Sequence, residues 1–167
     1  MKDTHLAALS PDLQMLYAAA VVARQNSYSP YSHFAVGAAG RTAAGKIYGG
    51  CNVENASYGL CCCGERNAIF AAVCAGERDL DAICVVADTE KPVSPCGACR
   101  QVMSEFKIEK ILLGNMHGDI KICSLEELLP YGFDLLKGVI DERRNEALCR
   151  LCGHGGPPQR GQIHPDQ

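Results

Sequence analysis

Two short segments of the chain carry residue types that could bind a metal ion and move protons. The first is Cys63-Gly64-Glu65, and the second is Pro95-Cys96-Gly97-Ala98-Cys99. Three cysteine thiolates can hold a zinc ion and leave its fourth tetrahedral position to water, which is typical of a catalytic site. Glu65 follows Cys63 closely enough to stand beside the ion without binding it and to act as general acid and base. Together the segments predict a hydrolytic zinc centre with Cys63, Cys96 and Cys99 as ligands and Glu65 as the catalytic residue.

Both segments fall where helices are expected to begin. One helix is predicted from near Cys63 to about Ala75, ending before Gly76, and another from Cys96 to Phe106. The positive end of a helix dipole stabilises thiolates in the first turn, and residues three positions apart share a helix face. Cys96 and Cys99 can therefore point at one ion.

Arg66 follows Glu65 and has a predicted role as well. Three thiolates around Zn²⁺ give a centre with a formal charge of about −1, which acidifies water less than a neutral centre does. We expect Arg66 to hydrogen-bond the thiolates and withdraw negative charge.

Each half of the pattern alone has a simpler interpretation. An isolated C-x-x-C fits a structural zinc knuckle or a redox pair equally well, and Glu65 beside Arg66 is typical of a solvated helix face. Cys63 alone could be a buried thiol. Neither Cys61 nor Cys62 is followed two residues later by Glu, so Cys63 is the expected ligand.

Composition limits the class of protein. A chain of 167 residues with 47% apolar and 21% charged residues can build one globular domain. It contains no apolar run of membrane-spanning length and no leader-like N-terminus, so neither membrane insertion nor secretion is expected. Eleven cysteines, an odd number, indicate reduced thiols in the cytoplasm, and Cys74 and Cys84 are predicted to be buried. A net charge of −3 without a basic stripe favours a small-molecule substrate over nucleic acid.

The order of predicted elements indicates an α/β protein. A first helix is expected from Ser10-Pro11 to about Arg24. Apolar runs and turn residues then predict strands at 34–39, 46–51, 83–87, 110–113 and 119–123, with a turn at 40–45 and a capping box at Ser124 and Glu127. With the two helices above, this order predicts a three-layer α/β/α sandwich around a mixed five-stranded sheet.

The C-terminal region differs from the rest. We assign residues 1–136 to a catalytic domain and 137–167 to an extension, partly helical and then disordered, because its last part is rich in Gly, Pro and Gln. Cys149, Cys152 and His154 could hold a second metal ion, but a C-x-x-C without a second pair is a weak signal.

Several segments resemble the small, homotetrameric cytidine deaminases. They are 28–34, 36–39, 52–60, 63–66, 95–102 and 128–133, so the likeness covers roughly residues 10 to 135. The resemblance implies one Zn²⁺ per subunit and hydrolytic deamination of cytidine and 2'-deoxycytidine in pyrimidine salvage. Gly64 and Asn67 depart from the family, which usually has a small residue such as Ala and a Thr at these positions, and the extension is absent from its short members.

The same resemblance implies the remaining site residues. Asn52 and Glu54 match the family's sugar-binding pair, and Phe34 matches an aromatic ring near the base. Ala56 and Tyr58 match positions that reach the ligand of a neighbouring subunit, and Phe133 matches a ring that closes over the base from another subunit. The resemblance thus implies a homotetramer with shared active sites.

Simpler interpretations of these residues remain open. Asn52 and Glu54 also fit an ordinary polar loop, Phe34 a core strand position, and Phe133 an anchor of the last helix. Other functions considered are a zinc protein in which the metal only supports the fold, a polynucleotide editor, and a deaminase of another small substrate, such as a blasticidin-like nucleoside or guanine.

Overall fold

A mixed β-sheet runs through the part of the chain that the computed structural model describes, residues 1–133. The strands lie in the order β1-β6-β5-β4-β2-β3, and β4 and β5 form the one parallel pair among them. Along the chain the elements are β1 (Lys2–His5), α1 (Pro11–Arg24), β2 (Val36–Thr42), β3 (Ile47–Cys51), α2 (Gly64–Cys74), β4 (Leu80–Ala87), α3 (Gly97–Glu105), β5 (Lys110–Asn115), β6 (Asp119–Cys123) and α4 (Leu125–Leu128). The predicted three-layer α/β/α sandwich is confirmed.

Two apolar clusters, one on each face of the sheet, form the core. Alternate residues of β4 point to opposite faces, so that Ile83 and Val85 join one cluster and Cys84 and Val86 join the other. The first cluster packs against α2 and α3, and the second packs against α1. Both helices whose first turns carry cysteine ligands therefore lie on the same face of the sheet.

The sheet has six strands, so the prediction of five is wrong by one. The additional strand, β1, pairs antiparallel with β6 along the edge of the sheet. Its sequence, Lys-Asp-Thr-His, contains no large apolar residue and gives no alternating pattern. Backbone pairing and an ion pair between Asp3 and Lys121 (3.3 Å) hold it in place, and neither can be inferred from local hydrophobicity.

The hairpin β2–β3 differs from its predicted bounds. Phe34 and Ala35 precede β2 rather than lying in it, and β2 continues to Thr42, where the predicted turn had already begun. The strand is prolonged because it pairs with β4 as well as β3, up to Thr42 opposite Leu80. The chain then reverses at Gly45, whose φ of +85° favours glycine.

Close backbone contact sets the position of α2. A Cβ atom on Gly50 of β3 would lie 2.2 Å from the backbone nitrogen of Ala68, so the helix rests directly on the strand. Cys63 caps this helix, as predicted, and Gly76 follows its end with a φ of +87°. The start of α2, and with it the first cysteine, is thereby fixed against the end of β3.

The remaining predictions had different outcomes. Cys84 is buried as expected, whereas Cys74, at the end of α2, is exposed. The capping box at Ser124 and Glu127 is confirmed. None of the helices among residues 1–133 combines the length and apolar character needed to cross a bilayer.

The chain divides into a unit of Met1–Gly132 and a unit of Phe133–Gln167, of which only Phe133 is described. The domain boundary proposed at 136/137, the predicted helix of the extension and the group Cys149, Cys152 and His154 lie outside the described residues.

Candidate metal centre and active site

Three cysteine sulfur atoms converge between the first turns of α2 and α3. The Sγ atoms of Cys63 and Cys96 are 3.8 Å apart, those of Cys96 and Cys99 are 3.5 Å apart, and all three lie within 4.8 Å of one another. A tetrahedral zinc ion with Zn–S bonds of about 2.3 Å requires sulfur atoms roughly 3.8 Å apart. The spacing of the three thiols therefore fits one zinc ion.

The positions of these cysteines at two helix starts explain the convergence. Cys63 is the N-cap of α2 and Cys96 the N-cap of α3, with extended backbone at both residues. Cys99 lies in the first turn of α3 and is buried, whereas Cys96 is exposed. The cluster thus has a buried side and a side that opens to the surface, from which an ion and a substrate can enter.

Hydrogen bonding within the cluster favours the thiolate form of Cys63. A hydrogen bond from the Cys99 thiol lowers the pKa of Cys63 to about 5, and the Arg66 guanidinium contributes to this shift. The same contact with Cys63 raises the pKa of Cys99, which acts as the donor. The cluster thus stabilises a thiolate without a metal ion, and a thiolate is the form that binds zinc.

Arg66 lies beside the cysteine cluster. Its Nη2 atom donates to the backbone carbonyl of Cys61 at 3.1 Å and to the Sγ atom of Cys63 at 3.8 Å. Its Nε atom is buried without a hydrogen-bond partner among residues 1–133. A guanidinium held by the Cys61 carbonyl and in contact with one sulfur can withdraw charge from that ligand.

Glu65 is the buried carboxyl group of the site, with 3% of its surface exposed. Burial raises the pKa of Glu65, and the neighbouring Cys63 thiolate raises it further. A carboxyl group whose pKa is raised towards neutrality can both accept and return a proton. The structure therefore brings Glu65 together with the cysteine cluster.

Arg100 holds the second cysteine segment and was not singled out as a functional residue from the sequence. Its guanidinium donates to the carbonyls of Pro95 (2.9 Å) and Leu128 (2.8 Å) and to the hydroxyl of Ser94 (2.9 Å). These bonds tie the loop that delivers Cys96 to the end of α4. The sequence signal for Arg100 is its position directly after Cys99. That position draws attention to the residue but does not indicate that it bonds to the distant Leu128.

The segment 52–54 lies next to the cysteine cluster. Val53 exchanges backbone hydrogen bonds with Cys62, both at 2.9 Å, and so places Asn52 and Glu54 beside the residue that precedes Cys63. On its other side the segment is held by Tyr28, which donates to Asn52 (3.0 Å) and accepts from Glu54 (2.8 Å). The predicted sugar-binding pair is thus joined to the start of α2 through the backbone.

The amide of Asn52 has one permitted orientation. Its oxygen accepts from the backbone N–H of Val36 (2.8 Å) and from the Ser27 hydroxyl (2.5 Å), and its nitrogen donates to the carbonyl of Phe34 (2.8 Å). Because an N–H can only donate and a carbonyl can only accept, the two ends of the amide cannot be exchanged. One N–H of the Asn52 side chain is therefore left, and it can be donated to a bound molecule.

Glu54 is held by the turn that precedes Phe34. Its carboxylate accepts from the backbone N–H groups of Tyr31 (2.9 Å) and Ser32 (3.2 Å) and from the Ser32 hydroxyl. The Ser32 hydroxyl is the main cause that lowers the pKa of Glu54, followed by these backbone donors. The side chain is thus an ionised acceptor, complementary to the donor that Asn52 presents.

The other predicted ligand contacts lie on the surface of the single chain. Phe34 is 42% exposed and Tyr58 is 72% exposed, with Tyr58 in edge contact with Tyr31, and Ala56 is exposed too. Phe133 is 71% exposed and belongs to the second unit.

A cleft of about 760 Å³ lies away from these residues, beyond the C-terminal ends of α2 and α3, beside Arg78 and Phe106. The cysteine cluster is therefore not placed in that cleft.

The sequence matches a family model described as the cytidine and deoxycytidylate deaminase zinc-binding region, over residues 10–115. It is 53% identical over 124 residues to a cytidine deaminase of Halalkalibacterium halodurans, covering 73% of this chain and 94% of that protein. It is 49% identical to a cytidine deaminase of Sporosarcina psychrophila, covering 73% and 91%. A crystal structure of cytidine deaminase from Burkholderia pseudomallei superposes with a TM-score of 0.70 at 49% identity, covering 75% of this chain and all of that one.

Proposed function

The chain belongs to the cytidine and deoxycytidylate deaminase family, and we propose that it hydrolyses cytidine and 2'-deoxycytidine to uridine and 2'-deoxyuridine with release of ammonia. The observation that carries this proposal is the group of three thiols at zinc-binding spacing with Glu65 buried next to Cys63. The ligands are Cys63, Cys96 and Cys99, with one zinc ion per chain.

The reaction exchanges the amino group on carbon 4 of the base for oxygen. Zinc, when bound, lowers the pKa of water towards neutrality and so supplies the nucleophile. Glu65 takes the proton that the attacking water gives up and delivers it to ring nitrogen N3. Glu65 then carries the second proton to the amino group, which leaves as ammonia while the carbon–oxygen double bond forms. Burial of Glu65 suits this exchange, because it favours the protonated form that must donate.

Asn52 and Glu54 bind the sugar. A sugar hydroxyl is both donor and acceptor, so it can receive the free N–H of Asn52 and donate to the Glu54 carboxylate. Phe34, held by the same network, lies at the base. This arrangement favours a free nucleoside over a polynucleotide, and the net charge of −3 favours it as well.

The active site is completed by neighbouring chains in a homotetramer. Small-molecule sites bury most of the ligand surface, whereas 42% of Phe34 and 72% of Tyr58 are exposed in one chain. In this assembly Ala56 and Tyr58 reach the site of one neighbour, and Phe133 closes over the base from another.

The reaction belongs to pyrimidine salvage in the cytoplasm. Nine cysteines among the described residues are free thiols, a composition typical of a reducing compartment. The products remain nucleosides, which suits recovery of the base and sugar rather than nucleic-acid editing.

The test combines zinc content with ammonia release from cytidine. We expect about one zinc per chain, fitting three protein ligands and one open position. Glu65→Gln should retain zinc but lose roughly 10²- to 10⁴-fold in kcat, because it removes the proton carrier. Glu105→Gln, an exposed carboxylate on α3, is the matched control. If the zinc-loaded protein releases no ammonia from cytidine or 2'-deoxycytidine but deaminates blasticidin S or guanine, the proposed substrate is wrong.

Shared sites are tested by mixing two inactive variants. Tyr58→Ala and Glu65→Gln chains, separately inactive, should recover part of the activity once unfolded together and reassembled. Full activity of a monomer in sedimentation and kinetics would contradict the shared site.

A further inference from the structure

A tight turn presents Phe34 to the site. The backbone N–H of His33 donates to the carbonyl of Ser29 at 3.0 Å, and His33 itself has a φ of +56°. Residues other than glycine rarely adopt this left-handed conformation, which costs of order 1 kcal/mol unless the surroundings enforce it. The turn therefore needs contacts from elsewhere in the chain to keep its shape.

Glu54 supplies those contacts, and Ser32 is the residue most involved. Ser32 donates to the Glu54 carboxylate through both its backbone N–H (3.2 Å) and its hydroxyl. The oxygen of the same hydroxyl accepts the backbone N–H of Phe34 at 3.0 Å. A single side chain thus links the carboxylate of one loop to the backbone of the aromatic residue in the other.

The carbonyl of Phe34 is held as firmly as its N–H. It accepts the amide nitrogen of Asn52 at 2.8 Å. Both backbone polar groups of Phe34 are therefore fixed, one through Ser32 to Glu54 and the other directly to Asn52. The two residues assigned to the sugar also determine where the ring beside the base can lie.

We propose that Ser32 is a positioning residue, which fixes the Phe34 ring over the substrate base by joining the Phe34 backbone to the Glu54 carboxylate. This inference rests on the proposed function and assigns Glu54 a second task. Glu54 binds the sugar and also anchors the turn that orients the base. An ionised carboxylate suits both tasks, since it can accept several hydrogen bonds at once.

The kinetic test compares Ser32→Ala, Ser32→Thr and Ser29→Ala. Loss of two hydrogen bonds, one to a charged group, should raise KM for cytidine about tenfold, with kcat within about twofold because Glu65 and the cysteines are untouched. Ser32→Thr keeps a hydroxyl and should restore most of the affinity. Ser29→Ala removes a hydroxyl of the same turn that accepts from the Ser27 hydroxyl at 3.2 Å and is not part of the link from Glu54 to Phe34, so it controls for loss of a loop hydroxyl. Unchanged KM in Ser32→Ala, or an equal rise in Ser29→Ala, would overturn the proposal.

Coupling to Glu54 separates this role from general loosening of the loop. Because Ser32 acts through the carboxylate, Ser32→Ala should have a much smaller effect in a Glu54→Ala background than in the wild type. Full additivity of the two changes in KM would show that Ser32 acts independently of Glu54 and would contradict the proposal.

A spectroscopic test does not require activity. The chain contains no tryptophan, so Phe34→Trp introduces a single indole at the position in question. We expect Ser32→Ala in this background to lower the fluorescence anisotropy of the indole and to increase its quenching by acrylamide, and Ser32→Thr to reverse both. Identical signals with and without the Ser32 hydroxyl would refute the positioning role. If the wild-type protein does not deaminate cytidine while the Phe34→Trp chains still show the anisotropy change, only the proposed function is refuted.

Discussion

The metal end and the sugar end of the proposed site are built in different ways. At the metal end, Cys63, Cys96, Cys99 and Glu65 lie in the first turns of two helices that pack on one face of the sheet. At the sugar end, Asn52 and Glu54 lie on an irregular segment between β3 and α2 and are held by side-chain hydrogen bonds to the segment 27–34. The first end depends on helix starts and a close-packed core, and the second on a surface network.

The two ends also differ in how far their carboxyl groups are exposed to solvent. Glu65 is 3% exposed, whereas Glu54 is only half-buried in the single chain, and its hydrogen bonds to Tyr31 and Ser32 lie at the surface. Interactions of a buried group gain from exclusion of water, and exposed ones contribute less. We therefore expect substitutions at the metal end to abolish catalysis and those at the sugar end to weaken binding in a graded way.

Cys99→Ala should have the largest effect. It removes the buried ligand, so the chain should lose its zinc, and cytidine turnover should fall to background, with lower thermal stability because metal binding supports folding. Cys84→Ala removes an equally buried thiol on the opposite face of the sheet and should cost about 1 kcal/mol of stability, with zinc and turnover retained. Zinc content, cytidine turnover and the midpoint of thermal unfolding are measured for both variants. Equal loss of zinc in Cys99→Ala and Cys84→Ala would contradict the assignment of Cys99 as a ligand and Cys84 as a core residue.

The same contrast explains what the sequence could predict. Cys63, Cys96 and Cys99 could be placed because the signals for helix starts are local and each half of the motif is contiguous. The anchoring of Asn52 to Val36 and of Arg100 to Leu128 could not, because these bonds join residues far apart in the sequence. β1 was missed for the same reason, since backbone pairing with β6 holds a polar segment without a pattern of its own. Cys74 is exposed because it is the last residue of α2, and the apolar residues around it in the sequence do not show where the helix ends.

Asn52→Asp should have the next largest effect. A carboxylate cannot donate to the Phe34 carbonyl and would place an oxygen against it, at a cost of about 2 kcal/mol, which corresponds to roughly a thirtyfold fall in kcat/KM. Asn55→Asp, three residues along the same segment, is the control, since the Asn55 side chain accepts from Ser57 and a carboxylate can do the same. Comparable falls in kcat/KM in the two variants would mean that the added negative charge, and not the orientation of the Asn52 amide, causes the loss.

Arg66→Gln tests the electrostatics of the metal end and should lower turnover or zinc affinity about tenfold. In zinc-free protein the Cys99 thiol and Arg66 lower the pKa of Cys63, so the reactive thiolate persists as the pH falls to about 5 and is lost below it. Removing the guanidinium should therefore shift the midpoint of iodoacetamide modification of Cys63 to higher pH. Peptide mass spectrometry between about pH 4 and pH 8 measures the midpoint. An unchanged midpoint together with unchanged turnover would show that Arg66 acts only on the carbonyl of Cys61.

The smallest effect is expected where the two ends are joined. The side-chain nitrogen of Asn67, in the first turns of α2, donates to the carbonyl of Cys51 at 2.8 Å, immediately before Asn52. This residue departs from the Thr usual in the family, and the bond explains how the helix that carries Glu65 stays in register with the sugar-binding segment. Asn67→Ala should cost about 1 kcal/mol of stability and raise KM about threefold, and Asn67→Thr should recover part of both. If stability falls while KM for cytidine stays constant, the bond supports the fold alone, and the spacing between the two ends is set by the backbone pairing of Val53 with Cys62.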